Sequence, residues 1–167
     1  MKAEIKTAKI AAVCLAVIAL VLNIDRYAYV NVTGSLPRGL YLAIPGELHR
    51  GDYVIYKPSS LEKKFLAERN YSDADRVLLK QVGGIENDTY TVTKQLEFYI
   101  NNERKGEIIP IDDEGRFMPY VVGCHYIRKD EFLPYAPAKR SLDGRYFGPE
   151  NKSQIISKVV PIITEIW

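Results

Sequence analysis

The length and charge of the chain limit what kind of protein it can be. It has 167 residues, of which 47% are hydrophobic and 26% charged, a balance that indicates one globular domain rather than a disordered chain. The 23 basic and 21 acidic residues give a formal net charge of +2. That is too small for a domain that binds nucleic acid through a basic surface. Residues 1–9 contain three lysines and one glutamate, so the whole net charge lies ahead of residue 10.

An apolar segment at residues 10–24 follows this basic N-terminus, with Asn23 as its one strongly polar residue. As a helix it would span roughly 22 Å, and with its flanks it approaches the thickness of a bilayer core. Basic residues ahead of such a segment favour a cytoplasmic N-terminus. We therefore predict a cytoplasmic segment at 1–9, a transmembrane anchor at 10–26 and a periplasmic domain at 27–167. A cleaved signal peptide and a buried helix are the alternatives; no small-x-small cleavage site supports the first.

Within residues 27–167 cysteine chemistry is limited. The one cysteine there, Cys124, can form no disulfide inside the domain, although the predicted compartment is oxidising. Cys124 stands beside His125 without further ligands nearby, so we expect it to be a small buried apolar residue. No metal site and no cofactor are predicted.

Short segments rich in β-branched and aromatic residues, separated by Pro and Gly, predict a mainly β domain. They lie at residues 39–44, 52–57, 76–82, 89–93, 96–100, 107–111 and 120–127, and the strand-like tail at 158–167 could close the sheet or touch a partner. Asn101 and Asn102, followed by Gly106, predict a hairpin. One short helix is predicted at 61–68, with Ser59 or Ser60 as its N-cap. We expect a folded β-sheet or irregular barrel.

The two histidines make histidine-based catalysis difficult. His49 lies in a predicted turn and His125 in a predicted strand, and neither belongs to a zinc-type pair or a Ser-His-Asp pattern. Exposed or packing roles are the ordinary interpretation of both. A nucleophilic hydrolase built from this chain would therefore need a base other than histidine.

Lys80 is a candidate for that base. On a strand it would share one face with Leu78 and Val82. If that face is internal, burial must lower the pKa of the lysine, and a fall from about 10.4 to about 7 corresponds to roughly 4.6 kcal/mol. The periodicity also allows the opposite arrangement, in which Lys80 faces solvent while Val77 and Leu79 point inward.

A second candidate is the hydroxyl of Ser35, in a Gly/Pro-rich turn between Gly34 and Pro37. An extended chain from the end of the apolar segment to this turn spans at most roughly 36–40 Å, so Ser35 would lie near the bilayer surface. Thr33 places a second hydroxyl two residues earlier. Taken alone, a serine in such a turn is more often structural.

Three segments in one order carry a resemblance to a known family. TGSLPRGLY at 33–41, KQVGG at 80–84 and SLDGRYFG at 141–148, behind a single apolar segment, resemble the signal peptidase I family. The GLY-containing form is most similar to TraF-type conjugative transfer signal peptidases. The resemblance implies a Ser/Lys dyad in which Ser35 is the nucleophile and Lys80 the general base.

The same resemblance implies roles for the supporting residues. Thr33 matches the hydroxyl that joins the nucleophile's N–H in the oxyanion hole. Ser141 matches the serine that orients the lysine, and Asp143 and Arg145 match an ion pair that supports the site. The sequence departs from the family pattern where Gly144 replaces a serine and Gln81 replaces an arginine.

The function implied is that of a membrane-anchored serine endopeptidase that processes a conjugative pilin precursor, either by hydrolysis or by cyclisation. The implied partners are a membrane-bound protein substrate and the lipid bilayer of a bacterial inner membrane, with no nucleic acid. A general leader peptidase for exported proteins and a non-catalytic anchored scaffold of a secretion complex are the alternatives.

Overall fold

The computed structural model describes residues 9, 13–15, 18, 23–71 and 76–165. From residue 23 onwards they form a mainly β structure, as predicted, with the α-helices α1 (Ser60–Glu68) and α2 (Gly144–Phe147), and residues 9, 13–15 and 18 ahead of them are helical. Single 3-10 turns lie at Ile24–Arg26 and Lys152–Gln154. The strands are β1 (Ala28–Asn31), β2 (Gly39–Ile44), β3 (Tyr53–Tyr56), β4 (Leu78–Gly84), β5 (Thr89–Val92), β6 (Glu97–Ile100), β7 (Glu103–Glu107), β8 (Gly123–Tyr126), β9 (Glu131–Tyr135), β10 (Glu150–Asn151) and β11 (Ile155–Thr164).

The strands form two antiparallel sheets. The larger has the order β1-β2-β11-β3-β4-β9-β10, and the smaller has the order β7-β6-β5-β8. Register shifts interrupt β11 against both of its neighbours and β4 against β9. Such bulges bend a strand and increase its twist, which lets the larger sheet curl. The tail predicted to be strand-like thus belongs to the sheet, since β11 pairs with both β2 and β3.

Apolar side chains from both sheets build the core. The largest cluster lies between the smaller sheet and β9, where Phe98 and Leu133 are fully buried. A second cluster joins Val54 to Phe132 across the middle of the larger sheet. The third surrounds Tyr41, at the edge of that sheet nearest β1. Burial on this scale is the main favourable contribution to folding.

The predicted helix and hairpin are both confirmed. Helix α1 begins where the Ser59 hydroxyl accepts a hydrogen bond from the backbone N–H of Glu62 at 3.3 Å. The hairpin joins β6 to β7 through Asn101 and Asn102, which have φ values of 48° and 66°. Two successive positive φ values match the right-handed twist of the strands, and asparagine tolerates them better than most residues.

Three local predictions were wrong. The segment 107–111 is not a strand, because β7 ends at Glu107 and Pro110 has no N–H to donate. Ile111 makes an isolated bridge to Phe117. Strand β9 was missed because it contains a proline, Pro134, beside a register shift. Cys124 is exposed rather than buried, because it lies on the outer face of β8.

Most of the predicted transmembrane anchor at residues 10–26 lies outside the described residues. Its last three residues, Ile24–Arg26, form a 3-10 turn that leads into β1. In the part of the chain that the structure describes, no helix is long and apolar enough to span a bilayer. The division into 1–9, 10–26 and 27–167 stays a prediction.

Candidate active site

One cavity brings together the three segments that the sequence analysis singled out. It has a volume of about 580 Å³ and lies between the loop after β1, strand β4 and the loop before α2. Thr33, Ser35, Lys80 and Ser141 all line it. Residues separated by up to 108 positions along the chain therefore meet around one opening.

The loop that carries Ser35 is held by Asn31, the last residue of β1. The Asn31 side chain is 7% exposed, and its Nδ2 donates to the carbonyl oxygens of Leu36 at 3.0 Å and Pro37 at 3.1 Å. Its Oδ1 accepts from the backbone N–H of Thr33 at 3.1 Å. The sequence analysis missed Asn31; an asparagine just before a Gly/Pro-rich turn is the signal that could have found it.

Two hydroxyl groups lie close together on this loop. The Thr33 hydroxyl donates to Asn31 Oδ1 at 2.7 Å and lies 3.3 Å from Ser35 Oγ. Because a hydroxyl has one proton, this arrangement makes Ser35 the donor and Thr33 the acceptor. A role for Thr33 in an oxyanion hole would require its hydroxyl to rotate towards the cavity, and that role stays a prediction.

Lys80 faces the protein interior, which is one of the two arrangements that the sequence allows. It lies opposite Val54 in the register of β3 and β4 and is 5% exposed. Its Nζ donates a hydrogen bond to Ser141 Oγ at 2.7 Å. Burial lowers the pKa of Lys80, while the carboxyl groups of Asp143 and Glu62 act in the opposite direction. The net direction favours the neutral amine, which is the form able to accept a proton.

Asp143 and Arg145 form a buried bidentate ion pair, with exposed fractions of 0% and 2%. Arg145 donates to the two carboxylate oxygens at 2.9 Å each. Its Nη2 also donates to the carbonyl oxygens of Ala138 at 2.7 Å and Ser141 at 3.2 Å. The pair therefore fixes the loop that presents the Ser141 hydroxyl to Lys80.

The packing around Gly144 explains one departure from the family pattern. A Cβ at this position would lie 2.5 Å from Leu133 Cδ1 and 2.7 Å from the carbonyl oxygen of Pro134. No side chain fits there without movement of β9. The Asp143 side chain instead caps α2 by accepting from the backbone N–H of Arg145 at 3.1 Å.

Ser35 and Lys80 border the same space without touching. Among the described residues no hydrogen bond joins Ser35 Oγ to Lys80 Nζ, since each is bonded to a different hydroxyl. Such contacts are often long before substrate binds and shorten in the complex. Chemically, the site offers a hydroxyl nucleophile, an amine of lowered pKa and a cavity between them.

The histidines and acidic residues suggest no second centre. His49 lies in a turn where its backbone N–H donates to Asp52 Oδ2 at 2.7 Å. His125 stacks on Tyr90 with ring centroids 4.9 Å apart. Among the residues that the structure describes, no cluster of three His, Cys, Asp or Glu side chains could hold a metal ion.

Comparison with known proteins places this site in a family. The family model described as "Signal peptidase, peptidase S26" matches residues 2–164. The chain belongs to the signal peptidase S26 family. The resemblance seen in the sequence is thus confirmed, and the match covers both the cavity and the two sheets of this signal peptidase homologue.

Two curated relatives of this S26 chain share one name. A "Plasmid transfer protein TraF" from Escherichia coli is 29% identical over 152 residues, covering 82% of this chain and 83% of that protein. A second Escherichia coli protein of the same name is 29% identical over 148 residues, with the same two coverages. The chain is therefore similar to TraF-type proteins over most of its length.

Proposed function

We propose that this protein is a membrane-anchored serine endopeptidase of the signal peptidase type, with Ser35 as nucleophile and Lys80 as general base. The observation that carries the proposal is the position of Lys80. Its amine is almost fully buried, bonded to Ser141 at 2.7 Å, and borders the same cavity as Ser35. A buried lysine is costly, and one at a cavity beside a hydroxyl is typical of a functional site. Membership of the S26 family supports the same assignment.

In the first step, the neutral Lys80 amine accepts the proton of the Ser35 hydroxyl as Oγ attacks the scissile carbonyl carbon. A carbon–oxygen bond forms and the carbonyl oxygen becomes an oxyanion. Donors such as the Ser35 N–H and a rotated Thr33 hydroxyl would stabilise that oxyanion, by about 3 kcal/mol for one donor. The carbon–nitrogen bond then breaks, and the Lys80 ammonium gives its proton to the leaving amine.

The second step determines the product. If water attacks the acyl-enzyme, its proton passes to Lys80, Ser35 is released and the product is a linear chain. If the amino terminus of the substrate attacks, a new peptide bond closes the chain into a ring, the ester bond to Ser35 breaks, and the proton of the amine passes through Lys80 to Ser35 Oγ. The two products differ by one molecule of water, so they can be distinguished by mass.

For the substrate we propose a conjugative pilin precursor held in the bacterial inner membrane. This is supported by the similarity to proteins named for plasmid transfer. The positive charge ahead of an apolar segment supports a single-pass anchor with the catalytic domain in the periplasm. A membrane-bound substrate then needs to reach only a site close to the bilayer surface.

The decisive experiment is co-expression of the full chain with a candidate conjugative pilin precursor, followed by intact-mass analysis. We expect a processed pilin with the wild-type chain and only precursor with Ser35→Ala, while the variant protein accumulates to the same level. A mass one water below that of the processed linear chain identifies cyclisation. Accumulation of many exported precursors on depletion would instead indicate a general leader peptidase, and processing that persists with Ser35→Ala would indicate a non-catalytic scaffold.

A further inference from the structure

A buried pair of carboxyl groups, Glu62 and Glu150, lies outside the cavity, and Glu62 is close enough to Lys80 to act on its charge. Glu62, from the first turn of α1, is 0% exposed, and Glu150, from β10, is 4% exposed. The two side chains lie within hydrogen-bonding reach of each other. Neither lines the cavity that contains Ser35. The proposed mechanism assigns no role to either residue.

The donors around Glu62 are too few for a carboxylate. Its Oε2 accepts one long hydrogen bond, from the Tyr56 hydroxyl at 3.5 Å, and its Oε1 receives none. An ionised carboxylate buried with this little support is expensive. The Ser59–Glu62 spacing matches a capping box, but the Glu62 carboxyl turns inward to Tyr56 and Glu150. Helix capping therefore does not explain its burial.

A proton on Glu62 resolves this shortage. Two carboxyl groups in contact cannot both ionise without strong repulsion, whereas a protonated one donates to the other. Burial, followed by the charge and hydrogen bond of Glu150, raises the pKa of Glu62 to about 8.

The charged and titratable groups that face Glu62 come from four elements. They are Tyr56 on β3, Lys80 on β4, Asp143 before α2 and Glu150 on β10. Lys80 is the cation among them, and a negative charge on Glu62 raises the pKa of Lys80. Asp143 raises the pKa of Lys80 more than Glu62 does, and Arg145, which is paired with Asp143, acts in the opposite direction.

We infer that Glu62 and Glu150 share one proton, and that this proton favours an uncharged Lys80 because it holds Glu62 neutral and leaves the one negative charge of the pair on Glu150. Both glutamates are positioning residues that act through Lys80, and the inference rests on the proposed function of that lysine. Loss of the shared proton would turn Glu62 into a counter-ion and hold Lys80 as an ammonium.

The test is the pH dependence of precursor processing by the full chain in detergent. In Glu150→Gln, Glu62 loses the partner that keeps it protonated, ionises at lower pH and favours the Lys80 ammonium. We expect the acidic limb of kcat/KM to move up by about 0.5 pH unit or more. In Glu62→Gln no charge can form at position 62, the position that acts on Lys80, so the limb stays in place or moves down. The double variant should behave like Glu62→Gln, because Glu150 acts through Glu62.

These outcomes distinguish a shared proton from a packing role of the two glutamates. A packing role would lower activity in both single variants without opposite movement of the limb. Movement in the same direction in both, or a double variant that resembles Glu150→Gln, would overturn the inference. Urea midpoints of all three variants serve as the control for folding.

A second measurement needs neither processing nor a substituted glutamate. In the Ser35→Ala full chain labelled with ¹³C at lysine Cε, the Lys80 signal should titrate with a second inflection near the pKa of Glu62, about 8. A single-step curve would overturn the inference even if every glutamate variant failed to fold. A two-step curve, combined with a wild-type chain that processes no precursor, would support the shared proton while the proposed function fails, so the two failures are distinguishable.

Discussion

The two halves of the candidate site are built in opposite ways. On the serine side, Val32, Thr33 and Gly34 are exposed, and one buried side chain, Asn31, holds the loop. On the lysine side, Lys80 and the three residues that support it are each at most 5% exposed. A nucleophile must be reachable by a large substrate, whereas an amine becomes a neutral base only away from water. Substitutions on the serine side other than at Asn31 should therefore affect activity alone, and those on the lysine side should affect stability as well.

The largest expected effect comes from Lys80→Arg. A guanidinium cannot act as a neutral base, so we expect kcat to fall by at least about 10³-fold, as for loss of a general base. Ser35→Ala should lose activity to a similar degree. Urea denaturation should distinguish the two variants: Ser35→Ala should keep the wild-type midpoint, and Lys80→Arg should lower it. Measurable processing by Lys80→Arg at any pH would contradict the assignment of the base.

Next in size is Asp143→Asn, which leaves the Arg145 guanidinium buried without its counter-ion. We expect a loss of about 3–5 kcal/mol in the free energy of unfolding. The matched control is Asp113→Asn, which removes the partner of Arg140 from an ion pair that is mostly exposed. That change should cost less than about 1 kcal/mol. Equal losses in the two variants would show that the buried pair has no special role.

Gly144→Ser restores the residue usual in the family and should nevertheless destabilise this chain. Its Cβ would lie too close to Leu133 and Pro134, and overpacking of this kind costs about 1–3 kcal/mol. Gly34→Ser is the control, because no atom lies within 4 Å of a Cβ there. A thermal midpoint for Gly144→Ser at or above that of Gly34→Ser would mean that β9 moves to accommodate the side chain at little cost in stability.

The smallest effect on activity is expected for Asn31→Asp, at the one buried side chain of the serine side. The substitution keeps the oxygen that accepts from Thr33 and replaces the amide that donates to Leu36 and Pro37 by an oxygen that faces their carbonyl groups. We expect kcat to fall about 10-fold, or about 1.4 kcal/mol, and the free energy of unfolding to fall by about 1–3 kcal/mol, because these buried carbonyl groups lose their donor. Asn87→Asp, at an exposed turn, should change neither quantity. An unchanged kcat for Asn31→Asp would mean that the Ser35 loop keeps its shape without this side chain.

How far the sequence could predict these features depends on the range of the interactions involved. The helix at α1 and the hairpin at Asn101 were predictable, because capping and turn preferences act between neighbouring residues. The direction of Lys80 was not, since alternation along a strand leaves two faces, and only the groups that cover one face of the sheet, among them Ser141 and Glu62, select one. Asn31 and Glu62 escaped notice for the same reason: their importance comes from partners that lie elsewhere in the fold.

The position of strand β11 determines when, during synthesis of the chain, the proposed site can assemble. The strand runs from Ile155 to Thr164, yet it lies between β2 and β3, in the middle of the larger sheet. Strand β2 follows the Ser35 loop directly, and β3 pairs with the strand that bears Lys80. Strand β11 follows both Ser35 and Lys80 in the sequence, and it joins the half of the sheet next to the Ser35 loop to the half that bears Lys80. During synthesis the proposed dyad therefore cannot be assembled within the complete sheet until β11 has been made.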